Sequence, residues 1–346
     1  MNALGRVLAA RIASGGPISL ADWMAEALTH PTLGYYRRGD PLGASGDFTT
    51  APEISQIFGE LIGLWLVDAW ERLRAPDPAL VVELGPGRGT LMADALRAAR
   101  LRPEFLRAIR LHLVESSPGL RARQAAALAG ALPSWHDGFE TVPPGPLLLV
   151  ANEFFDALPI RQFQRTETGW RERMVALDES GEGFRWVLGP VSPAADALLA
   201  PAQLAAPLGA IAEASPAARG LASAIGARLT QAPGAALIVD YGHDGSAAGD
   251  TLQAVRRHGA ADPLDDPGEI DLTAHVDFAA LAQAARAAGS DAHGPVAQGA
   301  FLKSLGAELR AQRLLAQATP DQQTQIRSGL HRLIAPEEMG RLFRAM

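Results

Sequence analysis

The sequence predicts an α/β protein with a mostly parallel sheet that helices cover on both faces. Between residues 80 and 151, short apolar runs alternate with helical segments, which is typical of strands joined by helical crossovers. The run 80–84 ends in an acid and the turn GPGRG at 85–89, and a helical pattern follows at once. This strand–turn–helix arrangement opens Rossmann-like units. A chain of 346 residues that is 48% hydrophobic can bury such a core.

The predicted core elements follow from apolar runs and from helical periodicity. The predicted strands of the core are 80–84, 110–115, 133–137, 145–151 and 235–241, with last strands at 292–298 and 342–346. The predicted helices of the core are 91–99, 117–128, 216–230 and 276–288. We expect the core to occupy residues 76–159 and 234–346.

Two regions flank or interrupt this alternation. Residues 1–75 read as a helical N-terminal region, with Ser19 capping a helix over 20–28, a loop at 30–48 and a helix over 53–73. Residues 160–233 read as an insertion that recognises the substrate. It holds antiparallel strands at 160–165, 170–177 and 184–188 and an irregular alanine- and proline-rich stretch at 191–208.

Composition excludes several classes of function. The net charge of −7 argues against a nucleic-acid binder with a broad basic face. The absence of cysteine excludes disulfides and thiolate metal sites. No apolar run approaches the ~20 residues of a membrane span, so we expect no membrane insertion. The wealth of Ala, Arg, Gly and Pro suggests a bacterial gene and a cytoplasmic protein. Residues 1–14 could resemble a transit peptide, although an ordinary first helix is the simpler interpretation.

The glycine turn favours one cofactor class. Its spacing is G-x-G-x-G, whereas dinucleotide-binding proteins carry G-x-G-x-x-G, and no Lys-Ser/Thr pair follows to make a P-loop. Glu83, just before the turn, repels phosphate and attracts a cation. S-adenosylmethionine carries an ammonium and a sulfonium and no phosphate. Gly85 and Gly87 allow the backbone to approach such a ligand closely. The motif therefore favours S-adenosylmethionine over NAD, but short glycine motifs leave both open.

An acid stands at or just after the end of each of the first five predicted strands of the core. These acids are Glu83, Glu115, Asp137, Glu153 and Asp240. Because ligands of parallel sheets bind outside the carboxyl ends of the strands, this rim suggests a site for a cationic ligand. Glu115 can accept hydrogen bonds from both ribose hydroxyls of an adenosine, and Asp137, beside Gly138, can accept one from the adenine amino group. The alternative for each is a solvated loop acid; the pattern favours the ribose contact for Glu115 and does not decide between the two interpretations for Asp137.

The segment NEFFDALP at 152–159 is the second strong signal. A helical turn would place Glu153 and Asp156 on one face, and two carboxylates held together suit a guanidinium. The alternative is that Asn152 caps a helix whose first turn carries two acids, which needs no substrate. His243, His258 and His275 match no metal-binding spacing, so we expect no metal.

These motifs resemble those of the MidA-like class I S-adenosylmethionine-dependent methyltransferases. The matching segments are GDFTTAPEI at 46–54, FGE at 58–60, ELGPGRGT at 83–90, NEFFDALP at 152–159, DYGH at 240–243 and DLTAHVDF at 271–278. The resemblance implies a seven-stranded sheet and a segment at 46–54 that folds over the cofactor. It also implies methyl transfer to an arginine of a protein client, which in the mitochondrial relative is a respiratory NADH dehydrogenase subunit.

The combined prediction is a protein arginine methyltransferase. Glu153 and Asp156 are the expected catalytic residues. The residues expected to bind S-adenosylmethionine are Glu83, Gly85, Gly87, Glu115, Asp137, Gly138 and Asn152. Three alternatives remain: a lysine or small-molecule methyltransferase on the same fold, an assembly factor without turnover, and, more distantly, an NAD-dependent dehydrogenase.

Overall fold

A computed structural model describes residues 1–37, 50–256 and 259–346 of the chain. The helices are, in chain order, α1 (Ala3–Gly15), α2 (Leu20–Thr29), α3 (Ala51–Ile54), α4 (Gln56–Arg72), α5 (Thr90–Ala98), α6 (Pro103–Ala108), α7 (Pro118–Ala127), α8 (Pro193–Leu198), α9 (Pro201–Leu204), α10 (Pro216–Gln231), α11 (Phe278–Ala287), α12 (Gln298–Ser304), α13 (Ala307–Leu315), α14 (Pro320–Ile334) and α15 (Met339–Leu342). The strands are β1 (Ile18–Ser19), β2 (Ala79–Leu84), β3 (Ile109–Val114), β4 (Ser134–His136), β5 (Leu147–Asn152), β6 (Arg161–Thr166), β7 (Gly169–Leu177), β8 (Phe184–Val191), β9 (Ile211–Ala214), β10 (Gly234–His243), β11 (Gln253–Arg256), β12 (Gly259–Ala260), β13 (Asp271–Thr273), β14 (Val276–Asp277), β15 (Val296–Ala297) and β16 (Phe343–Ala345).

The central sheet has the strand order β15-β16-β10-β5-β2-β3-β4. Its pairs from β4 to β10 are parallel, and β16 runs antiparallel to both β10 and β15. The predicted mostly parallel seven-stranded sheet is therefore confirmed, including the two last strands. An eighth strand, β14, pairs with the end of β10, where the sequence predicted the start of a helix.

Alternation of side chains explains why helices cover both faces. Every residue of β2 and of β5 is buried. Val81 and Val150 pack in one core with α4, α5 and the C-terminal helices, whereas Val82 and Leu149 pack on the other face with α10 and α11. Successive side chains of a strand point to opposite faces, so a strand buried on both sides is mainly apolar, and the polar residues Glu83 and Asn152 stand at or next to the carboxyl ends of β2 and β5.

A second core lies apart from the central sheet. The inserted strands form an antiparallel sheet in the order β1-β7-β6-β9, with β8 on β7. Helices α1 and α2 pack against this sheet through Leu8, Trp23 and Val175, together with Leu272 of β13. Strand β1 of the N-terminal region pairs directly with β7.

These packing units differ from the regions 1–75, 160–233 and 234–346 that the sequence suggested. Helix α4 belongs with the central sheet, and α10, at the end of the 160–233 region, packs there too. Strands β11 and β13 pack instead with the N-terminal helices. The division of the chain by function stays a prediction.

Local details also correct the sequence interpretation. The helix predicted at 53–73 is broken at Ser55, whose backbone is extended (φ −159°) and whose hydroxyl accepts the N–H of Ile57 at 3.3 Å. Ser55 thus caps α4 and separates it from α3. Ser19 caps α2 as predicted. Helices α12 to α14 were not predicted. Within the described residues, no helix has the length and apolar character that crossing a membrane requires.

The crossing of α4 and α5 generates a stability prediction. A Cβ built on Gly63 of α4 would lie 2.3 Å from the carbonyl oxygen of Ala95. Because this neighbour is backbone, Gly63→Ala should lower the free energy of unfolding by about 1–3 kcal/mol. Gly220→Ala is the matched control: Gly220 lies inside α10 with nothing within 4 Å of its added Cβ, so it should stabilise by about 0.5–1 kcal/mol. Urea unfolding measures both, and equal effects would contradict the close contact.

Candidate functional site

A cavity of about 390 Å³ lies at the carboxyl edge of the central sheet. All nine predicted site residues line it: Glu83, Gly85, Gly87, Glu115, Asp137, Gly138, Asn152, Glu153 and Asp156. The cavity crosses the ends of five neighbouring strands, from β4 to β10, which is about 19 Å at the usual strand spacing. The individual roles of the nine residues remain predictions.

Neighbouring strands end level with one another, which brings several of these residues into one row. Leu84 of β2 pairs with Val114 of β3 and with Ala151 of β5. The next residues along, Gly85, Glu115 and Asn152, therefore lie level with one another. Asn152 pairs with Val239 of β10, and the N–H of Glu153 donates to the carbonyl of Val239 at 2.9 Å.

The glycine turn has the backbone that only glycine adopts readily. Gly85, Gly87 and Gly89 have φ of +60°, +53° and +85°. A Cβ on Gly85 would also lie 2.7 Å from the ring of Phe154, so the tight approach at Gly85 is to this aromatic side chain. Gly89 begins α5, whose N-terminus follows the turn. The turn is thus fixed by backbone conformation and by the loop that follows β5.

Glu83 is a buried carboxyl with an unsatisfied atom. It is 3% exposed, and its Oε2 has no hydrogen-bond partner among the described residues. Burial raises its pKa to about 8. A carboxyl in this state gains most from a cation that enters the cavity, because the cation restores the interactions that burial removed.

At the end of the cavity formed by β3 and β4, hydrogen bonds hold the Glu115 side chain in place, whereas the Asp137 side chain is exposed to solvent. Glu115 accepts the N–H of Ser117 at 2.7 Å and the side-chain amide of Gln124 at 3.2 Å, and burial raises its pKa. Asp137 is 85% exposed and pairs with Arg121 at 2.7 Å. An adenine contact from Asp137 therefore competes with water and with this ion pair. The Cβ of a residue at Gly138 would meet the carboxylate of Glu140.

Glu153 and Asp156 lie together, but not on a helical turn. The segment after β5 is irregular, and Glu153 has φ of +49°. The predicted helical turn is wrong, as is the helix cap at Asn152, because the N–H groups that would start a helix bind the carboxylate of Asp240 instead. Asp240 Oδ2 accepts the N–H groups of Phe154, Phe155 and Asp156 at 3.1, 2.9 and 3.2 Å.

Burial makes both of these carboxyls weaker acids than they would be in water. It raises the pKa of Glu153 to about 7 and that of Asp156 to about 6. The neighbouring charge of Asp156 adds to the rise at Glu153, whereas the N–H of Ala51 and the amide of Asn152 oppose it. Asp156 Oδ1 is buried and has no partner among the described residues. The pair can hold a cation or take up a proton near neutral pH.

Three residues of this end were missed from the sequence. Tyr36 donates to Asp271 at 3.2 Å, and both line the cavity. Tyr241, the residue after Asp240, lines the cavity with Asp156 and Thr273 and interacts electrostatically with both. Its place after a strand-end acid was a usable signal. Tyr36 and Asp271 are 235 residues apart, and no local pattern joins them.

The start of α3 covers part of the cavity. Thr50, Pro52 and Glu53 line it, and the N–H of Ala51 donates to Glu153 at 2.8 Å. Glu53 accepts the hydroxyl of Thr90 at 2.5 Å, which joins α3 to the end of the glycine turn. Residues 46–49 of the predicted lid lie outside the described residues.

None of the described histidines lines this cavity. His275 packs edge-on against Tyr241, and its pKa is lowered by burial. His243 lines a smaller neighbouring cavity. His258 lies outside the described residues. Across the described ranges, no group of three His, Asp or Glu side chains could hold a metal ion.

The residues present suit S-adenosylmethionine. The cavity has the volume of a small-ligand site. Glu115 offers carboxylate oxygens at one end for ribose hydroxyls. Glu83 offers an unpaired buried carboxyl beside the glycine turn for an ammonium. The acids would instead repel the phosphates of NAD.

Comparison with known proteins agrees with this site. A model of S-adenosyl-L-methionine-dependent methyltransferases matches residues 61–296, more than half of the chain. The Protein arginine methyltransferase NDUFAF7, mitochondrial, of Danio rerio is 42% identical over 97% of this chain and 84% of its own length. The protein of the same name from Homo sapiens is 37% identical over 98% of this chain and 81% of its own length.

A solved structure matches the whole fold. The crystal structure of a Burkholderia thailandensis protein bound to S-adenosyl-homocysteine has a TM-score of 0.86 and 31% identity, and the match covers 99% of this chain and 90% of that chain. Fold, cavity and sequence therefore agree. The chain belongs to the family of S-adenosyl-L-methionine-dependent methyltransferases.

Proposed function

We propose that this methyltransferase acts on the guanidinium of an arginine in a protein client. The observation that carries the proposal is the pair Glu153 and Asp156. Asp156 is buried and Glu153 is partly buried at one end of the cavity, and neither forms an ion pair with a described residue of the chain. A planar guanidinium, with its fork of donors, satisfies two such carboxylates better than an ammonium does. Relatives named as protein arginine methyltransferases support the same acceptor.

The cofactor would be held across the middle of the sheet edge. Glu115 would accept hydrogen bonds from the ribose, Glu83 would face the ammonium, and Gly85 and Gly87 would leave room for the backbone to approach. When bound, S-adenosylmethionine supplies an electrophilic methyl group. The protein then contributes mainly the position of the acceptor and the exclusion of water.

Glu153 and Asp156 would perform two tasks at the acceptor nitrogen. Their carboxylates orient the guanidinium so that one nitrogen faces the methyl group. A free guanidinium has a pKa above about 12 and barely deprotonates, so its proton leaves late, as the new bond forms. A carboxylate whose pKa lies near 7 can take up that proton at neutral pH.

The same end of the cavity has a polar wall formed by Asp271 and Tyr36, whose hydroxyl donates to Asp271 at 3.2 Å. Burial and the charges of Asp271 and Asp156 raise the pKa of Tyr36. We assign this wall to acceptor binding.

The inserted region and the client complete the proposal. The antiparallel sheet of the 160–233 region would read the client, with edge strand β8 exposed in part. Deleting it does not test this, because β7 contributes Val175 to the core of the N-terminal helices. Substitutions on β8 are the suitable probe. A respiratory NADH dehydrogenase subunit as client and a cytoplasmic location in a bacterial cell are also part of the proposal.

The cofactor assignment predicts a linked proton. Glu83 has a raised pKa of about 8 in the free protein, so at pH 7 it is mostly protonated. A cationic ligand favours the carboxylate, so binding of S-adenosylmethionine should release a proton and tighten as pH rises from 6 to 8. Calorimetry in buffers of different ionisation enthalpy measures the release. Glu83→Gln should lose most of it, and Asp137→Asn should keep it. An unchanged proton count in Glu83→Gln would exclude Glu83 as its source.

The catalytic assignment predicts a loss of turnover without a loss of cofactor. Glu153→Gln keeps the shape and removes the charge, so methyl transfer should slow by about 10²–10⁴-fold while S-adenosylmethionine affinity changes little. In the wild type, the rate should rise with pH through about 7 as Glu153 ionises, and the variant should lose this limb. Glu308→Gln, an exposed acid of α13, is the control.

Single-turnover assays with labelled S-adenosylmethionine and a client found by methylarginine mass spectrometry decide this prediction. Wild-type turnover in Glu153→Gln would remove this residue from the mechanism. Label found on lysine or on a small molecule would replace the arginine assignment.

The acceptor wall predicts an effect on the client alone. Asp271→Asn should raise the KM for an arginine peptide about 10–100-fold, which corresponds to a lost charge-assisted hydrogen bond, and leave cofactor affinity unchanged. Tyr36→Phe should act in the same direction and less strongly. Asp265→Asn, an exposed acid nearby in sequence, serves as control. A changed cofactor affinity with a normal peptide KM would place Asp271 in the cofactor site and not in the acceptor site.

A further inference from the structure

Asp240 differs from the other acids at the strand ends. It is fully buried, at 0% exposure, and it does not line the cavity. Its Oδ2 accepts three successive backbone N–H groups, from Phe154, Phe155 and Asp156, and its Oδ1 accepts the N–H of Tyr241 at 2.9 Å. One side chain of β10 thus ties down the loop that follows β5.

The conformation of that loop needs such support. Glu153 has φ of +49°, a backbone that residues with a side chain rarely adopt. Without Asp240, the N–H groups of Phe155 and Asp156 would be buried and unsatisfied, because both residues lie inside the protein. A segment held in a rare conformation persists only where its surroundings overdetermine it.

The same strand end also lies close to the side chain of Asp156. The side chain of Tyr241, whose N–H binds Asp240, interacts electrostatically with Asp156. Asp240 therefore orders the backbone of Asp156 directly and is next in sequence to a residue that stands near its carboxylate. Placing three carboxylates this close has an electrostatic cost: burial and the charges of Asp156 and Glu153 raise the pKa of Asp240.

We propose that Asp240 is a positioning residue for methyl transfer, which holds the loop so that Glu153 and Asp156 face the acceptor. This inference rests on the proposed roles of those two residues. Only a carboxylate offers acceptor oxygens at both ends. An asparagine would turn its NH₂ group toward either the N–H of Tyr241 or the three loop N–H groups. Asp240→Asn should therefore loosen the loop and leave the cofactor site in place.

The test compares kinetics of Asp240→Asn, Glu153→Gln and the double variant on any acceptor that the wild type methylates. Asp240→Asn should lower kcat by about 10–10³-fold and change the KM and the dissociation constant for S-adenosylmethionine by less than about 3-fold. Because Asp240 acts through Glu153 and Asp156, the loss of kcat in the double variant should be smaller than the product of the two single losses. Asp244→Asn removes a charge from an exposed acid just past the same strand and should behave as wild type.

Several outcomes overturn the inference. A normal kcat in Asp240→Asn would do so, as would losses that multiply in the double variant or a cofactor affinity that falls in parallel with kcat. If Asp240→Asn does not fold, amide hydrogen exchange in the wild type decides: Phe154, Phe155 and Asp156 should be strongly protected although they lie in a loop, and rapid exchange would refute the contact. An acceptor other than arginine would end the proposed function but leave these measurements valid.

Discussion

The site depends on the flush, parallel register of β2, β3, β5 and β10. Parallel strands end at the same edge, and here their last pairs are level, so Gly85, Glu115, Asn152 and Val239 fall in one row and Asp240 lies one residue beyond it. A shift of one residue in any pair would turn a site residue into the core and a core residue into the cavity, because side chains alternate between faces. The apolar side chains that are buried on both faces of the sheet fix the register of its strands. They therefore also set the positions of the acids. Packing of the core and placement of the site are one constraint.

Three acids of the cavity are held in an unfavourable state that a cationic ligand relieves. Glu83, Glu153 and Asp156 all have raised pKa values because burial removes their hydration. Such groups lower the stability of the free protein and gain interactions when cations enter. Elsewhere the chain satisfies a buried acid with its own arginines: Glu60 pairs with Arg97 and Arg310, and its pKa is lowered. The contrast indicates that the cavity acids are left for a ligand.

Much of this arrangement could be predicted because it is encoded locally. The strands of the core, the glycine turn and the acids that follow the strands are each contained in a few consecutive residues. The conformation of the loop after β5 was predicted wrongly. The spacing of Glu153 and Asp156 suggested a helical turn, but Asp240, more than eighty residues away, binds the N–H groups that the turn would have used. The partnership of Tyr36 with Asp271 was hidden for the same reason, since only tertiary structure joins them.

The packing of the N-terminal helices suggests how acceptor and cofactor ends are linked. Tyr36 reaches the acceptor wall from the N-terminal region, while the N–H of Ala51, at the start of α3, binds Glu153. Arg37, next to Tyr36, donates to the carbonyl of Ser116, beside Glu115 at the opposite end of the cavity. The region before the central sheet therefore touches both ends of the site. A change that displaces it should alter cofactor and acceptor binding together, whereas changes in the strand-end acids should separate the two.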